Sequence, residues 1–256
     1  MTSTLGHFVW YDHLTRDPQG AIAFYTEVIG WKAQPVAPGG PYTMFLSTQG
    51  PLAGAEAMPA LPPGTPFVPQ WKGNVQVADV DAAVAGAKRN GGRVLGEAAD
   101  YPGVGRLAVI ADPQGLSVNV FAPARTMARR DSTQPGEFMW SELMTTDHDA
   151  AFAFYSAVFG WTKKREMEMG PLGTYLIVSH GGEDVGGMFT KPAGVPVPPH
   201  WLYYIHVADL DATIERALAK GAASVRPASE VPGGARIATL RDPQGAEFGL
   251  HGDGVR

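Results

Sequence analysis

The peptide DPQG at residues 112–115 occurs again at residues 242–245, and this duplication decides how the whole chain is organised. The peptide GHFVW at residues 6–10 likewise returns as GEFMW at residues 136–140. Other matches share the same spacing of 130 residues: AFY at 23 and 153, GW at 30 and 160, and VAD at 77 and 207. A repeat at one fixed spacing indicates duplicated structural units, so two homologous halves are expected.

The two halves are predicted to be domains that span residues 5–125 and 135–253. The stretch between them, residues 126–134, is polar and contains Arg129 and Arg130. A short polar stretch of this kind is typical of a connection between folded units. Residues 126–134 are therefore interpreted as a solvated linker and not as a binding surface.

Each half carries the same order of helix and strand signals twice. Apolar residues recur at helical spacing within residues 17–30, and an alanine-rich amphipathic pattern fills residues 79–90. Strand-like segments follow, at residues 42–47 after the first helix and at 92–95, 106–111 and 117–121 after the second. The DPQG peptide supplies a hairpin turn before the last strand. The chain is therefore predicted to be an α+β protein built from four βαβββ modules.

The composition excludes several classes of function. The 20 Lys and Arg residues are outnumbered by 25 Asp and Glu, which argues against a nucleic-acid partner. The absence of cysteine excludes disulfides, thiolate catalysis and cysteine-ligated metals. No apolar run approaches the roughly 18 residues of a membrane span, and the first residues lack the features of a secretory signal. A cytoplasmic protein with neither nucleic acid nor membrane as partner is expected.

Together these features resemble the vicinal oxygen chelate superfamily, which is the glyoxalase, bleomycin-resistance and extradiol-dioxygenase group. The resemblance is carried by the four modules, the Phe-Tyr pair in the first helix, the Gly-Trp after it and the DPQG turn, each present twice. Within that group the chain is similar to fused, two-domain glyoxalase-like proteins of bacteria. The resemblance implies two tandem domains whose concave mixed sheets bind ligands. It does not imply one reaction, because the group includes isomerases, thiol transferases, dioxygenases and drug-binding proteins.

Strand alternation separates a face that packs under the helices from a face that is left for ligands. The apolar members of segments 73–77 and 203–207 are predicted to pack inward, and the intervening residues to face the ligand. The same reasoning applies to segments 116–121 and 246–251. The predicted ligand-facing residues are Lys72, Asn74, Gln76, Ser117, Asn119 and Phe121 in the first half, and Leu202, Tyr204, His206, Glu247, Gly249 and His251 in the second.

The first strand of each half places a carboxylate among apolar residues on the predicted ligand face. The two sets are Phe8, Trp10, Asp12 and Leu14, and Phe138, Trp140, Glu142 and Met144. In one interpretation Asp12 and Glu142 lie in water or pair with Arg106 or Arg236. In the other, each sits in a partly apolar pocket and serves as a general base or a metal ligand. The residues alone leave both interpretations open.

The resemblance also implies three metal-ligand positions in each half, and none of the six carries a good ligand. They are Trp10, Lys72 and Asn119 in the first half, and Trp140, Leu202 and Gly249 in the second. A protein without a metal cofactor is therefore expected. A displaced divalent-metal site is the alternative, because Glu142 or Asp12 could combine with His206 and His251 as a two-histidine, one-carboxylate set.

The histidines are interpreted by their positions. His206 lies four residues beyond the position that the resemblance implies for a ligand, so a polar pocket wall is favoured over metal ligation for His206 and His251. Without metal, these two could act with Glu142 or Asp12 as acid and base. The others are predicted to lie at the surface, on the opposite face or in loops. They are His7, His13, His148, His180 and His200.

Trp10 and Trp140 have two interpretations. Each indole could fill its cavity and make that half inert, or it could form the floor of an aromatic pocket on which a planar ligand stacks. The second interpretation is favoured. The predicted ligand contacts are Trp10, Trp140, Phe8, Phe138, Tyr204, Asn74, Gln76, Asn119 and Glu247, and the candidate catalytic residues are Glu142, His206, His251 and Asp12.

The sequence therefore predicts a protein that binds a partly aromatic or apolar metabolite in a concave cavity without metal. Whether it is also an enzyme is left open by the residues. The competing prediction is a metal-dependent glyoxalase-like lyase or isomerase, or a dioxygenase, with displaced ligands. A third is a scaffold whose cavities are filled by its own side chains. A monomer is expected, with a dimer as the alternative, since a fused chain already supplies paired domains.

Overall fold

The computed structural model describes residues 3–58, 68–170, 173–195 and 197–254. The first half runs through strands and helices in the order that the repeat predicts. Its elements are β1 (Phe8–Thr15), α1 (Pro18–Val28), β2 (Lys32–Pro35), β3 (Tyr42–Ser47), β4 (Gly50–Ala57), β5 (Gln70–Gln76), α2 (Val80–Arg89), β6 (Arg93–Tyr101), β7 (Gly105–Ala111) and β8 (Ser117–Pro123).

The second half repeats this order of elements. They are β9 (Phe138–Thr145), α3 (His148–Phe159), β10 (Thr162–Glu168), β11 (Thr174–His180), β12 (Glu183–Thr190), β13 (His200–His206), α4 (Leu210–Ala219), β14 (Ala223–Glu230), β15 (Arg236–Arg241) and β16 (Glu247–Gly252). None of the helices within the described residues is long and apolar enough to cross a membrane.

Each of the four helices begins directly after an aspartate that caps its N-terminus. Asp17, Asp79, Asp147 and Asp209 are the N-cap residues, and each side chain accepts a hydrogen bond from the backbone N–H three residues later. This bond satisfies one of the N–H groups that a helix start leaves without a partner. Helix α3 ends at Gly160, whose positive φ of 71° suits a residue without a Cβ.

The strands form two eight-stranded mixed sheets, one from each half of the sequence. Their orders are β2-β3-β4-β1-β5-β8-β7-β6 and β10-β11-β12-β9-β13-β16-β15-β14. In the first sheet β1 pairs with β4, and β5 with β8, in parallel, whereas the hairpins β3/β4 and β7/β8 are antiparallel. Two βαβββ modules lie side by side in each sheet, so the predicted α+β fold of four modules is confirmed.

The chain also separates into two compact units that do not coincide with the halves of the sequence. The first unit contains Met1–Trp10, Lys72–Arg129 and Trp140–Trp201, and the second contains Tyr11–Trp71, Arg130–Met139 and Leu202–Arg256. The first unit thus combines the second and third modules, and the second unit combines the first and fourth. The bounds 5–125 and 135–253 describe the sequence repeat and remain a prediction as domain limits.

A buried chain of hydrogen bonds holds the core of the second unit. Trp71 donates from Nε1 to the hydroxyl of Tyr25 at 2.8 Å, and Tyr25 donates to Asp242 Oδ2 at 2.9 Å. Nε2 of His13 lies 2.7 Å from the same carboxylate oxygen. Burial, followed by the charge of Asp242, raises the pKa of Tyr25 well above its usual value.

His13 is fully buried in this chain of hydrogen bonds, so the prediction of a surface position is wrong. Alternation along β1 turns Tyr11, His13 and Thr15 toward the buried side, and all three are buried. Asp242 supplies the polar partner without which a buried imidazole would be costly.

Residues 126–134 remain a predicted linker, and all of them are exposed or partly exposed, but one of their side chains is bound to the fold. Arg130 lies in the second unit, where its Nε forms a 2.5 Å ion pair with Glu137, whose side chain is only 2% exposed. The same guanidinium donates to Ser47 Oγ at 2.7 Å and to the carbonyl oxygen of Pro51 at 2.8 Å. The connection is therefore fastened to the β3/β4 hairpin through a partly buried charge.

Candidate functional site

The two carboxylates predicted from the first strands are each bound by a tyrosine. The hydroxyl of Tyr42 donates to Asp12 Oδ1 at 2.6 Å, and the hydroxyl of Tyr175 donates to Glu142 Oε2 at 3.0 Å. Asp12 is buried, with 8% of its surface exposed, and Glu142 is partly buried. Hydrogen bonds to the charged form of a carboxylate stabilise that form and fix its orientation.

Arg106 and Arg236, the predicted partners of these carboxylates, bind other acidic residues instead. Arg106 binds Asp81 and Asp100, and Arg236 binds Asp211. The strand register explains the difference, because the partners of Asp12 and Glu142 come from the neighbouring hairpin of the same module.

A glycine makes room for each tyrosine ring. Gly54 lies opposite Asp12 in the β1/β4 register, and a Cβ built on Gly54 would be 2.2 Å from the ring of Tyr42. Gly187 lies opposite Glu142 in the β9/β12 register, and a Cβ there would be 2.1 Å from the hydroxyl oxygen of Tyr175. The tyrosine can cross the middle strand to reach the carboxylate only because that strand carries no side chain at this point.

We call Asp12, Tyr42 and Glu56 the second-unit cluster. Glu56 faces the same side as Asp12, because β4 places it two residues beyond Gly54 and opposite Tyr42 on β3. Burial, and then the charge of Asp12, raises the pKa of Glu56. This cluster therefore holds two carboxyl groups that compete for ionisation.

We call Trp140, Glu142, Tyr175 and Phe189 the first-unit cluster. Phe189 occupies the register position that Glu56 has in the other cluster, opposite the tyrosine. Its ring stacks on Tyr175 with centroids 5.9 Å apart and planes 25° apart. Trp140 donates from Nε1 to the hydroxyl oxygen of Tyr175 at 2.8 Å, which fixes the indole and polarises the phenol toward Glu142. This cluster has one carboxylate and a largely aromatic surface.

The amides predicted as ligand contacts are brought together in the first unit. Asn74 and Asn119 face each other in the parallel β5/β8 register, and Asn119 Nδ2 donates to Asn74 Oδ1 at 3.2 Å. Asn74 Nδ2 donates to the carbonyl oxygen of Trp10 at 3.2 Å. Both amides are buried and Trp10 is partly buried, so these bonds order the strand that carries the indole.

The two histidines predicted as catalytic residues also meet. His206 and His251 are opposite each other in the parallel β13/β16 register, and their Nδ1 atoms are 3.3 Å apart. His206 is 4% exposed and His251 is partly exposed. Burial, and then the neighbouring His206, lowers the pKa of His251.

The remaining predicted contacts are engaged in packing or in local bonds. Phe8 packs against Trp161 and Trp201, with centroids 6.0 Å and 5.4 Å away. Phe138 stacks on Tyr11 at 3.8 Å. The ring of Tyr204 lies over Gly249, so that a Cβ on this glycine would be 2.3 Å from it. Gln76 and Glu247 are the last two predicted contacts. Gln76 Oε1 accepts a hydrogen bond from the hydroxyl of Thr4 at 2.7 Å, and Glu247 forms an ion pair with Arg241 at 2.6 Å.

The donor set does not fit the metal ion that the fold family uses. Among the described residues, no group of three or more His, Asp or Glu side chains is placed to hold a metal. The six positions implied for ligands carry two tryptophans, one lysine, one leucine, one asparagine and one glycine. Indole, ammonium and aliphatic groups are not metal ligands in proteins. We therefore derive no chemistry through a metal at these positions.

Four residues of the two clusters are not among the site residues that the sequence predicts: Tyr42, Glu56, Tyr175 and Phe189. The matching tyrosines are 133 residues apart, whereas the conserved spacing of the repeat is 130. A three-residue insertion before β11 displaces the hairpin, and a later deletion restores the spacing. A separate alignment of the hairpins, EAMP against its counterpart FTKP, would have revealed the matched positions Glu56 and Phe189.

Comparison with known sequences identifies both halves. Residues 9–121 match the sequence model described as Glyoxalase-like domain, and residues 137–250 match that of the Glyoxalase/Bleomycin resistance protein/Dioxygenase superfamily. The chain is 37% identical over 246 residues to a Mycobacterium tuberculosis protein named "Putative glyoxylase CFP32", covering 94% of this chain and 92% of that protein. It is 34% identical to the "Anthracycline biosynthesis protein DnrV" of Streptomyces peucetius, with 94% and 91% covered.

Solved structures share the fold at low sequence identity. The Mn(II)-bound glyoxalase from Novosphingobium aromaticivorans has a TM-score of 0.68 and 15% identity, with 98% of this chain and 83% of that chain covered. Homoprotocatechuate 2,3-dioxygenase from Arthrobacter globiformis has a TM-score of 0.69 and 13% identity, with 99% and 82% covered. At this identity the likeness concerns the fold and not the reaction.

Proposed function

Because the chain belongs to the glyoxalase/bleomycin resistance/dioxygenase superfamily, we propose that it binds a planar, hydroxylated aromatic metabolite, and that it does so without a metal ion. The binding surface in this proposal is the strand face that carries the first-unit cluster. The observation that carries the proposal is the chain of bonds from Trp140 Nε1 to Tyr175 and from Tyr175 to Glu142.

Each member of this chain has a property that such a ligand needs. Trp140 is partly exposed and held in one orientation, so its ring can stack on a planar molecule without further ordering. Phe189 extends the aromatic surface beside Tyr175. A carboxylate at Glu142 can accept a hydrogen bond from a ligand hydroxyl, which fixes the orientation of the ligand.

Two further findings support this ligand class. One relative is named for anthracycline biosynthesis, and anthracyclines contain a planar, hydroxylated anthraquinone. One of the three metal-ligand positions that the resemblance implies in each half carries an indole, Trp10 or Trp140, which suits stacking and not coordination.

Calorimetric titration with 1,4-dihydroxyanthraquinone-2-sulfonate tests the proposal. We expect saturable binding, and we expect Glu142→Gln or Trp140→Leu to weaken it about tenfold or more, as for loss of a charged hydrogen bond or a stacking partner. Glu166→Gln is the matched control, because Glu166 lies in the same unit but is exposed and pairs with Lys163. Undiminished affinity in both cluster variants would refute the assignment of this surface.

Metal analysis of the purified protein separates this proposal from the competing metal-dependent isomerase or dioxygenase. We expect binding of the anthraquinone to survive treatment with a chelator. A tightly held transition metal near one ion per chain, required for binding, would support the displaced-ligand alternative instead. Absence of a thermal shift with any aromatic compound would support a scaffold whose cavities are filled.

A further inference from the structure

A row of residues in register across the second sheet runs from a carboxylate to a guanidinium. Glu142 on β9 lies opposite Gly187 on β12. Gly187 lies opposite Ile177 on β11, and Ile177 lies opposite Arg165 on β10. Residues directly opposite one another in a sheet point to the same side of it. Arg165 is therefore on the side that carries the first-unit cluster.

A β-bulge turns Arg165 to this side. Lys163, two residues earlier on β10, pairs with Val178, and its ammonium lies 5.4 Å from the ring centroid of Phe152 on α3, so Lys163 faces the helices. In a regular strand Arg165 would face the helices as well, because alternate residues share a side. The register shifts between Lys163 and Arg165, so that Arg165 pairs with Ile177, the residue next to Val178. The bulge thus moves a cation from the helix side to the ligand side of the sheet.

The guanidinium of Arg165 is exposed and available to a ligand. Within the described part of the chain no carboxylate pairs with it, whereas both lysines that precede it on β10 form ion pairs. The acidic residues that follow it on β10 have other partners: Glu166 pairs with Lys163 at 3.0 Å, and Glu168 accepts from the hydroxyl of Thr174 at 2.9 Å. A guanidinium in this state can donate two parallel hydrogen bonds to a carboxylate or sulfonate.

The separation of the two charged ends fits a fused aromatic ring system. Three strand spacings of about 4.8 Å separate β9 from β10, so the backbones that carry Glu142 and Arg165 are about 14 Å apart. Between these two residues the row contains only Gly187 and Ile177, which are apolar. A flat molecule of two or three fused rings can therefore reach both ends without meeting another charged side chain of the row.

The first sheet lacks the cation at the matching position. The matching row there consists of Asp12, Gly54, Met44 and Gln34. Gln34 thus occupies the place of Arg165, and the register of β2 with β3 runs without a shift over residues 32–35. The bulge and the cation are a property of the row that contains Glu142 and are not required by the fold.

We propose that Arg165 binds an anionic substituent, a carboxylate or a sulfonate, of the aromatic metabolite whose hydroxyl is bound by Glu142. This inference rests on the proposed function and narrows its ligand to a hydroxylated aromatic acid. The hydroxyl donates to the carboxylate, and the anionic group accepts from the guanidinium. Because the two ends of the row have opposite charges, the ligand binds in one direction: a molecule turned round would place its anion against Glu142.

Calorimetric titration with a matched pair of ligands tests the inference. The probes are 1,4-dihydroxyanthraquinone-2-sulfonate and 1,4-dihydroxy-2-(hydroxymethyl)anthraquinone, in which an uncharged group replaces the sulfonate. We expect Arg165→Gln to weaken binding of the sulfonate about fivefold, as for loss of an exposed ion pair, and to leave binding of the uncharged compound unchanged. Glutamine is the residue that β2 already carries at the matching position, Gln34. Lys163→Gln removes the same charge from the helix side of β10 and should change neither affinity.

Ionic strength provides a second measurement. The affinity of the unaltered protein for the sulfonate should fall as salt is raised from about 0.05 M to about 0.5 M, because salt screens the attraction between exposed charges. Arg165→Gln should reduce this salt dependence. Arg165→Lys should keep it but bind the sulfonate less tightly, because an ammonium cannot donate in the bidentate geometry. The same salt dependence in Arg165→Gln as in the unaltered protein would contradict the inference.

The outcomes distinguish this inference from the proposed function. If both compounds bind and Arg165→Gln affects them equally or not at all, the anion site is refuted and the proposed function stands. If neither compound binds to the unaltered protein, the proposed ligand class fails, and the inference fails with it. If Arg165→Gln weakens only the sulfonate while Glu142→Gln weakens neither compound, anion binding by Arg165 is supported and the proposed place of the hydroxyl is refuted.

Discussion

Each compact unit binds a buried tyrosine to a buried aspartate, and the second unit adds an imidazole. In the first unit Tyr155 donates to Asp112 at 3.2 Å, and burial raises the pKa of Asp112. In the second unit Tyr25 and His13 both bind Asp242, at 2.9 Å and 2.7 Å. The residue that matches His13 in the first unit is Leu143, which is fully buried.

This difference shows how one backbone accommodates two kinds of core. Each aspartate accepts one backbone N–H bond from the glutamine of its DPQG turn and one from the residue after the turn, so the turn needs the carboxylate in either unit. In the second unit the carboxylate is also the partner of a buried imidazole, His13. The turn motif thus sets the position of the carboxylate, and the residue on the opposing strand decides whether an imidazole binds it.

The largest effect is expected from removing the aspartates. Asp242→Ala should lower the free energy of unfolding by about 3–5 kcal/mol, because it leaves a buried imidazole without its partner. Asp112→Ala removes the matching turn bonds but leaves no imidazole without its partner. Its free energy of unfolding is therefore expected to fall by only about 2 kcal/mol. Urea denaturation measures both. Adding His13→Leu to Asp242→Ala should recover part of the loss, and equal losses in the two single variants would contradict the comparison.

The glycines under the tyrosine rings distinguish the two clusters. Gly54→Ala and Gly187→Ala each place a methyl group within 2.2 Å of a tyrosine ring or its hydroxyl oxygen, so the ring must move away from its carboxylate. We expect each to cost about 1–3 kcal/mol of stability, as in other overpacked sites. Only Gly187→Ala should also weaken anthraquinone binding in calorimetry. A loss of binding confined to Gly54→Ala would transfer the proposed surface to the second-unit cluster.

Substitutions at the matched positions Glu56 and Phe189 test whether the second carboxyl group is what distinguishes the two clusters. Because the pKa of Glu56 is raised, the folded protein keeps this proton at pH values where the unfolded chain has released it. Stability is therefore lost as the pH rises through the raised pKa, and Glu56→Gln should flatten that loss. Phe189→Glu should introduce a similar loss beside Glu142. Thermal denaturation of both variants between pH 4 and pH 8 measures these changes. If the pH profile of stability is the same in Glu56→Gln as in the unaltered protein, Asp12 and Glu56 do not compete for ionisation.

The smallest effect at neutral pH is expected at His7, whose counterpart in the second unit is Glu137. Burial, followed by Arg129 and His180, lowers the pKa of His7 from 6.5 to about 4. The folded protein therefore resists a proton that the unfolded chain accepts between pH 6.5 and pH 4, and stability falls as the pH falls through this window. His7→Gln should reduce that acid dependence, and an unaltered profile would show that folding does not lower the pKa of His7.

The sequence predicted the elements that depend on local patterns. The module order, the DPQG turns and the placement of Asp12 and Glu142 on one strand face all follow from periodicity and from the repeat. It did not predict the partners of those carboxylates, because Tyr42 and Tyr175 lie about 30 residues away and at a shifted spacing. It placed His13 at the surface, since nothing nearby indicated that Asp242 would meet it.

What the sequence determined by itself is the family and the four-module plan, since both depend on residue identity at fixed spacing. Only the tertiary structure decided which polar groups meet: Asp12 with Tyr42, Glu142 with Tyr175, and His206 with His251. These contacts join strands through sheet registers. Register depends on insertions, glycines and packing across the whole sheet, and a local pattern does not contain that information.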